Sequence, residues 1–221
     1  MGVRADRPNG YYESPRPDVA ALVPAQARRI LDVGCATGRL GASLKAGAGC
    51  DVYGVEVEAA VAEQARACLD GVVVGDIESL RLPFPERFFD CILYADVLEH
   101  LRDPLAVLRS HRAHLADGGS IVVSLPNVRF CGVLLPLLLQ GQWRYERSGV
   151  LDEGHLRFFT RSSAQAMLVQ AGYEVVRTAC SIPRSRRYRV PNLLTAGLLC
   201  EFMAPQLLLL ARKSGEGKAD G

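Results

Sequence analysis

Nowhere in the chain do about 18 apolar residues run consecutively, the minimum for a membrane-spanning helix. The nearest approach, Leu193 to Ala211, is interrupted by Glu201, Pro205 and Gln206, and reads instead as a helix followed by a strand. No basic segment leading into an apolar one opens the sequence, so no secretory leader is expected. The seven cysteines (Cys35, Cys50, Cys68, Cys91, Cys131, Cys180 and Cys200) are odd in number, and no two stand at C-x-x-C spacing. A disulfide framework and a cysteine zinc site are thereby disfavoured, and free thiols in a reducing, cytoplasmic compartment fit better. An excess of one charge is missing too. The balance of 26 basic against 24 acidic residues leaves +2, which gives no electrostatic case for nucleic acid as a partner. With 221 residues, 49% of them hydrophobic and 23% charged, the chain has the volume for one ordinary core, and disorder is expected only at its ends.

What is present centres on Arg29-Ile30-Leu31-Asp32-Val33-Gly34-Cys35-Ala36-Thr37-Gly38-Arg39-Leu40. An apolar run reads as a buried parallel strand, breaks into a turn of small residues, and gives way to a helical pattern. Strand, glycine turn and helix in that order aim backbone N–H groups and a helix N-terminus at whatever binds there. Gly34 and Gly38 let the main chain approach a ligand that a Cβ would push away. A dinucleotide fingerprint needs glycine at the first, third and sixth places after the strand. Here those places hold Gly34, Ala36 and Arg39, so a nicotinamide-dependent oxidoreductase is disfavoured.

Downstream, Asp51–Val57 alternates as a second strand whose end carries Glu56, about 20 residues past the turn, where an acid can accept both hydroxyl hydrogens of a ribose. A third strand, Val72 to Val74, exits through Gly75-Asp76-Ile77. A fourth, Phe88 to Tyr94, exits into Ala95 and Asp96, and a fifth spans Ser120 to Leu125 after the turn Asp117-Gly118-Gly119. Helices over 59–69 and 104–115 separate them, and this alternation predicts a parallel sheet with helices on both faces. Ligands in such sheets lie beyond the carboxyl ends of the strands. Asp32, Glu56, Asp76 and the segment from Ala95 all fall there. After Pro126 the pattern changes. An apolar stretch containing Pro136 and a mixed one containing Trp143, Arg144 and Tyr145 predict an insert over 126–160 that covers the site as a lid. Thr160 caps a helix ending at Gly172; strands over 173–181 and 206–211 follow.

The glycine turn resembles the first motif of class I S-adenosylmethionine (SAM) methyltransferases of the type 11/23 kind, D/E-x-G-x-G-x-G, with Ala36 in place of the middle glycine. The resemblance covers roughly Leu22 to Lys213. It implies a Rossmann-like, doubly wound α/β fold of seven strands, mostly parallel with an antiparallel last strand. It also implies methyl transfer from SAM, with a cofactor site built from Asp32, Gly34, Ala36, Gly38, Glu56, Asp76, Ile77 and Ala95. Within it, Glu56 takes the ribose, Asp76 the adenine amino group and Ile77 the face of the ring. The expected organisation is an N-terminal arm over 1–17, a methyltransferase domain over 18–213 and a tail over 214–221. Tyr11 and Tyr12 of the arm are expected either to fold over the cofactor or to anchor the arm.

Asp96, Glu99 and His100 stand at i, i+3 and i+4, so one helical turn would put them on one face. Two carboxylates and an imidazole suit Mg2+ or Mn2+. The D-x-x-E-H string is similar to the E-x-x-E-H of ubiquinone-biosynthesis and plant-type small-RNA O-methyltransferases. The small-RNA group implies His155 as a fourth ligand, and Glu99, His100 and His155 as the catalytic side chains. An acceptor hydroxyl on a small molecule or glycan-type substrate is the expected methyl recipient, with a phosphorylated or RNA 2′-hydroxyl as the alternative. Pro126-Asn127 and the leucine run also resemble the methionine-biosynthesis MetW group, which implies a non-catalytic role beside a partner enzyme; the Glu99–His100 pair speaks for an enzyme. Arg184, Arg186, Arg187 and Arg189 are read as a basic loop ahead of an apolar helix over 193–203. Such a pairing suits either plain solvation, a phosphate, or contact with a membrane surface.

Overall fold

The structure is a computed structural model and describes residues 15–214. The expectations for Tyr11, Tyr12 and residues 215–221 fall outside them. Seven strands form one sheet: β1 (Arg29–Val33), β2 (Asp51–Glu56), β3 (Gly71–Val74), β4 (Phe89–Ala95), β5 (Leu115–Pro126), β6 (Tyr173–Ser181) and β7 (Gln206–Lys213). Their order across the sheet is β3-β2-β1-β4-β5-β7-β6. The first five pair in parallel, and β7 runs antiparallel between β5 and β6. This is the Rossmann-like fold expected, antiparallel last strand included.

Side-chain alternation along the central strands supplies two cores. Leu31, Val33, Ile92, Tyr94, Ile121 and Val123 join one buried cluster. Their neighbours Ile30, Cys91, Leu93 and Val122 join the other. A run apolar at every position is what a strand covered on both faces requires. The first cluster packs on α4 (Pro104–His111) and α6 (Arg161–Gln170), the second on α1 (Pro17–Ala20), α2 (Arg39–Ala48) and α3 (Ala59–Arg66). Asp103 caps α4 by accepting the Ala106 N–H at 2.9 Å, and Thr160 caps α6 by accepting that of Ser163 at 3.2 Å.

Two stretches differ from expectation. β5 begins at Leu115 rather than Ser120: Leu115 pairs with Phe89 and Ser120 with Cys91, so Asp117-Gly118-Gly119 bulges out within the strand. Such a bulge keeps the ladder on either side while shedding the extra residues into solvent. The arginine segment is helical instead of a loop. α7 (Arg186–Leu194) runs through it, and α8 (Cys200–Met203) is a separate short helix, so no single helix spans 193–203. Ala196 and Gly197, at φ +49° and +85°, turn the chain out of the helix between them.

Beyond β5, α5 (Cys131–Gln140) begins the insert. Asn127, fully buried, ties its start to the approach to β7. Its Nδ2 donates to the carbonyls of Glu201 and Ala204 at 2.6 and 2.9 Å, its Oδ1 accepts the Arg129 N–H at 3.0 Å, and its own N–H reaches Pro205. An aspartate there would offer no donor and would set a carboxylate against two carbonyls. Asn127→Asp is therefore expected to cost roughly 2–5 kcal/mol in urea unfolding. A loss below about 0.5 kcal/mol, the range of ordinary surface changes, would contradict the clamp.

Candidate functional site

The turn after β1 is shaped by backbone conformations few residues adopt. Gly34 and Gly38 have φ +69° and +78°, and Ala36 itself sits at +48°. The N–H groups of Gly34 and Cys35 both donate to the Val55 carbonyl of β2, at 2.8 and 3.0 Å. A Cβ on Gly34 would lie 2.7 Å from a methyl of Val97, so the β1 turn and the β4 exit press against each other there. Glu56, almost buried at the tip of β2, accepts the Ala36 N–H on Oε2 and the Glu58 N–H on Oε1, each at 3.0 Å. Two carboxylate oxygens offer about four acceptor positions, so room remains for two hydroxyl hydrogens. Asp76 stands exposed beyond β3, its Oδ1 accepting the Glu78 N–H at 3.0 Å, with half-buried Ile77 beside it. Asp32 lies buried beneath the turn, and burial together with the Glu56 charge raises its carboxyl to about 7. A glycine-lined backbone flanked by acids on adjacent strand tips fits an adenosine, whose ribose and amino group are all donors.

Past β4 the chain places Asp96 at φ +59°. Its carboxylate receives the Arg16 guanidinium on one oxygen and lies 3.1 Å from the Ser124 hydroxyl on the other. Arg16 also bonds Ser124 Oγ at 2.7 Å and Asp18 at 3.1 Å. Asp18 in turn accepts from Ser181 at 3.0 Å. Arg16 thus stitches the start of α1 to the exits of β4, β5 and β6. The sequence reading assigned this residue to the arm and gave it no role. An ion pair 80 residues apart leaves no trace in local periodicity; the only hint was an arginine set directly before a proline-started helix.

Leu98–His100 forms a single 3-10 turn. It brings Glu99 and His100 to His155 of the insert, their candidate ligand atoms all within 4.8 Å of one another. Glu99 is fully buried, and neither of its carboxylate oxygens has a hydrogen-bond partner. Burial, reinforced by the Asp96 charge, pushes its carboxyl well above the usual range. Its backbone carbonyl accepts the N–H groups of Leu156 and Arg157 at 2.8 and 3.0 Å, which holds the insert against the turn. His155 Nε2 lies 3.9 Å from Glu99 Oε1 while its Nδ1 lies 3.0 Å from the Val150 carbonyl. His100 Nδ1 is likewise 3.0 Å from the Gly154 carbonyl. A carbonyl can only accept, so each Nδ1 carries a proton, the arrangement in which a histidine binds a metal through its other ring nitrogen. An orphaned buried acid beside two such imidazoles fits a divalent cation. Asp96, expected as a further ligand on the same face, is not in this group. Its positive φ turns it from the helical face assumed, and Arg16 and Ser124 engage its carboxylate.

Comparison with known proteins adds the following. A family described as "Methyltransferase domain" matches residues 8–178. An uncharacterized protein of Mycobacterium tuberculosis is 31% identical over 200 residues, covering 82% of this chain and 64% of that protein. A ubiquinone biosynthesis O-methyltransferase of Cereibacter sphaeroides is 35% identical over 119 residues, 50% of this chain and 46% of that one. The chain thus spans less than two thirds of either relative. A SAM-dependent methyltransferase structure from Mesorhizobium loti superposes with a TM-score of 0.64 at 18% identity, over 90% of this chain and 98% of that one.

The buried Asp32 carboxyl gives the strand tips a pH signature. Raised from 3.8 to about 7, it binds a proton in the folded chain that the unfolded chain has already released, so its share of stability is lost as pH rises through that window. In urea unfolding of the cofactor-free protein, wild type is expected to lose up to about 1.4 kcal/mol per pH unit relative to Asp32→Asn across it. Parallel stability curves for the two proteins would contradict this.

Proposed function

Because the chain belongs to the methyltransferase domain family, we propose that it moves a methyl group from SAM to a hydroxyl oxygen of a small-molecule or glycan-type acceptor, assisted by a divalent ion at Glu99, His100 and His155. The observation that carries the acceptor side of this reading is the Glu99 carboxylate, buried without a hydrogen bond beside two imidazoles whose Nδ1 atoms each bond a backbone carbonyl. The C. sphaeroides relative, by its name an O-methyltransferase, supports oxygen as the recipient.

When bound, SAM supplies a methyl on a positively charged sulfur. Glu56 accepts the ribose hydroxyl hydrogens, Asp76 the adenine amino group, and Ile77 packs on the ring. The glycine turn sets Gly34 and Ala36 close enough for main-chain contact, Gly38 closes it in a left-handed conformation, and Asp32 lies buried beneath it. Ala95 and Val97, at the β4 exit, form the wall beside the reacting groups. Mg2+ or Mn2+ held by Glu99, His100 and His155 would lower the pKa of an acceptor hydroxyl bound to it. Where one imidazole is not engaged as a ligand, its Nε2 can take the hydroxyl proton. The insert over 126–160, pinned to the Glu99 carbonyl, closes over this end as a lid and keeps water from the transfer.

Calorimetry with S-adenosylhomocysteine tests the cofactor half. Wild type is expected to bind it, and Glu56→Ala to bind it about tenfold or more weakly through loss of charged hydrogen bonds. Absence of binding by wild type would remove the reading. For the metal half, Mn2+ is expected to raise the melting temperature of wild type but not of Glu99→Gln, with S-adenosylhomocysteine affinity equal in both. An equal Mn2+ response in the two proteins would remove the ion and leave methyl transfer standing.

A further inference from the structure

At the end of the sheet where the site lies, two helices turn their apolar faces outward. α5 leaves the exit of β5, and α7 follows the exit of β6. Both strands run antiparallel to β7, so they share one direction, and β5 is parallel to β4 and hence to β1. The rings of Phe130, just before α5, and Tyr188 in α7 meet at 5.3 Å, which sets the start of α5 beside α7.

On α5 the exposed leucines fall at 135, 137, 138 and 139; on α7 the exposed apolar residues fall at 190, 193 and 194. The α7 set has i, i+3, i+4 spacing, one face of a helix, and on α5 Leu135, Leu138 and Leu139 repeat it while Leu137 lies exposed off that face. A helix packed on a protein core buries such a face. Here Leu138, Leu139, Leu193, Leu194 and Leu198 are each between 74% and 84% exposed. Large apolar side chains this exposed, on two helices at one end of the sheet, mark an interaction surface.

Charge identifies what it meets. Arg184, Arg186, Arg187 and Arg189 precede or open α7, and no acid occurs between Ile182 and Cys200. Together with Val190, Asn192 and Leu193, three of these arginines line an open cleft of about 590 Å3. No acid occurs between Asn127 and Tyr145 either, a stretch holding Arg129 and Arg144. The acid that follows α7, Glu201, is already engaged by Arg129 and Arg161 at 2.7 and 3.2 Å. A second copy seated face to face through a two-fold axis would set these arginines against each other.

We propose that α5, α7 and the turn after α7 form a docking face for an anionic membrane surface. The leucines enter the boundary between headgroups and acyl chains, and the arginines engage headgroup phosphates. No helix among the described residues is long and apolar enough to cross a membrane, so the association is peripheral. Docked in this way, the site's end of the sheet faces the bilayer, and an acceptor hydroxyl carried on a membrane lipid reaches it without crossing water. That consequence rests on the methyltransferase reading; the docking does not.

Flotation of the full chain with vesicles, without cofactor or acceptor, tests the docking separately from methyl transfer. Wild type is expected to float with vesicles containing phosphatidylglycerol, to float poorly with phosphatidylcholine alone, and to be released by salt. Leu193→Ser with Leu194→Ser and Leu198→Ser, and separately Arg186→Gln with Arg187→Gln, are expected to lower partitioning about tenfold or more. An unchanged urea midpoint shows that the variants fold. Free glycerol phosphate is expected not to displace the protein; displacement would mean a soluble-phosphate site and overturn the proposal. So would absence of flotation, variants that float like wild type, or sedimentation showing a dimer that the leucine changes split.

Discussion

The Glu56 carboxylate holds two backbone N–H groups, that of Ala36 in the turn after β1 and that of Glu58 in the turn after its own strand, each at 3.0 Å. It fixes the relative position of two strand tips with a group that still has lone pairs to offer. Everything on the cofactor side of the molecule follows from that arrangement. The glycine turn can adopt left-handed conformations because Gly34 and Gly38 carry no Cβ, and Ala36 is held in one by the bond from Glu56. Asp32, buried below, is pushed toward neutrality by its surroundings and by the charge of Glu56. The parallel sheet makes this economical, since one end of it gathers backbone donors and acids from several strands at once.

A different logic governs the other half of the site. Glu99 is buried without a hydrogen-bond partner for its carboxylate, an arrangement that costs stability unless a proton or a cation satisfies it. The fold nevertheless enforces it. Leu156 and Arg157 are bonded to the Glu99 carbonyl, and two backbone carbonyls fix the orientation of the imidazoles beside it. A buried acid left without a hydrogen bond and with a raised carboxyl is characteristic of working sites. Arg16 pairs with Asp96, whose charge raises the Glu99 carboxyl, and its own charge offsets part of that effect.

Much of the architecture was legible because it is written in local chemistry. The apolar runs of β1, β4 and β5, the acid closing β2 and the Thr160 cap each depend on a few neighbouring residues. The bulge in β5 was read as a turn because Asp-Gly-Gly has the composition of one, and only pairing with β4 shows that the strand resumes. α7 was read as a loop because an arginine run with Pro191 looks solvated, yet it folds as a helix with Pro191 inside it. Spacing brings Glu99 and His100 together in the sequence and only the resemblance adds His155, while the positive φ of Asp96 ahead of a single 3-10 turn takes it off the common face. Arg16 is out of reach, since its partners Asp96, just past β4, and Ser124, in β5, come together only in the folded sheet.

The central claim is that the tips of β1, β2 and β3 jointly hold one adenosyl compound. Hydrogen–deuterium exchange with and without S-adenosylhomocysteine tests it most directly. The account expects slowed exchange in three separate stretches together, the turn at 34–38, the β2 exit at 56–58 and the β3 exit at 75–78. Protection confined to one of them, or found only in the insert or on α7, would contradict it.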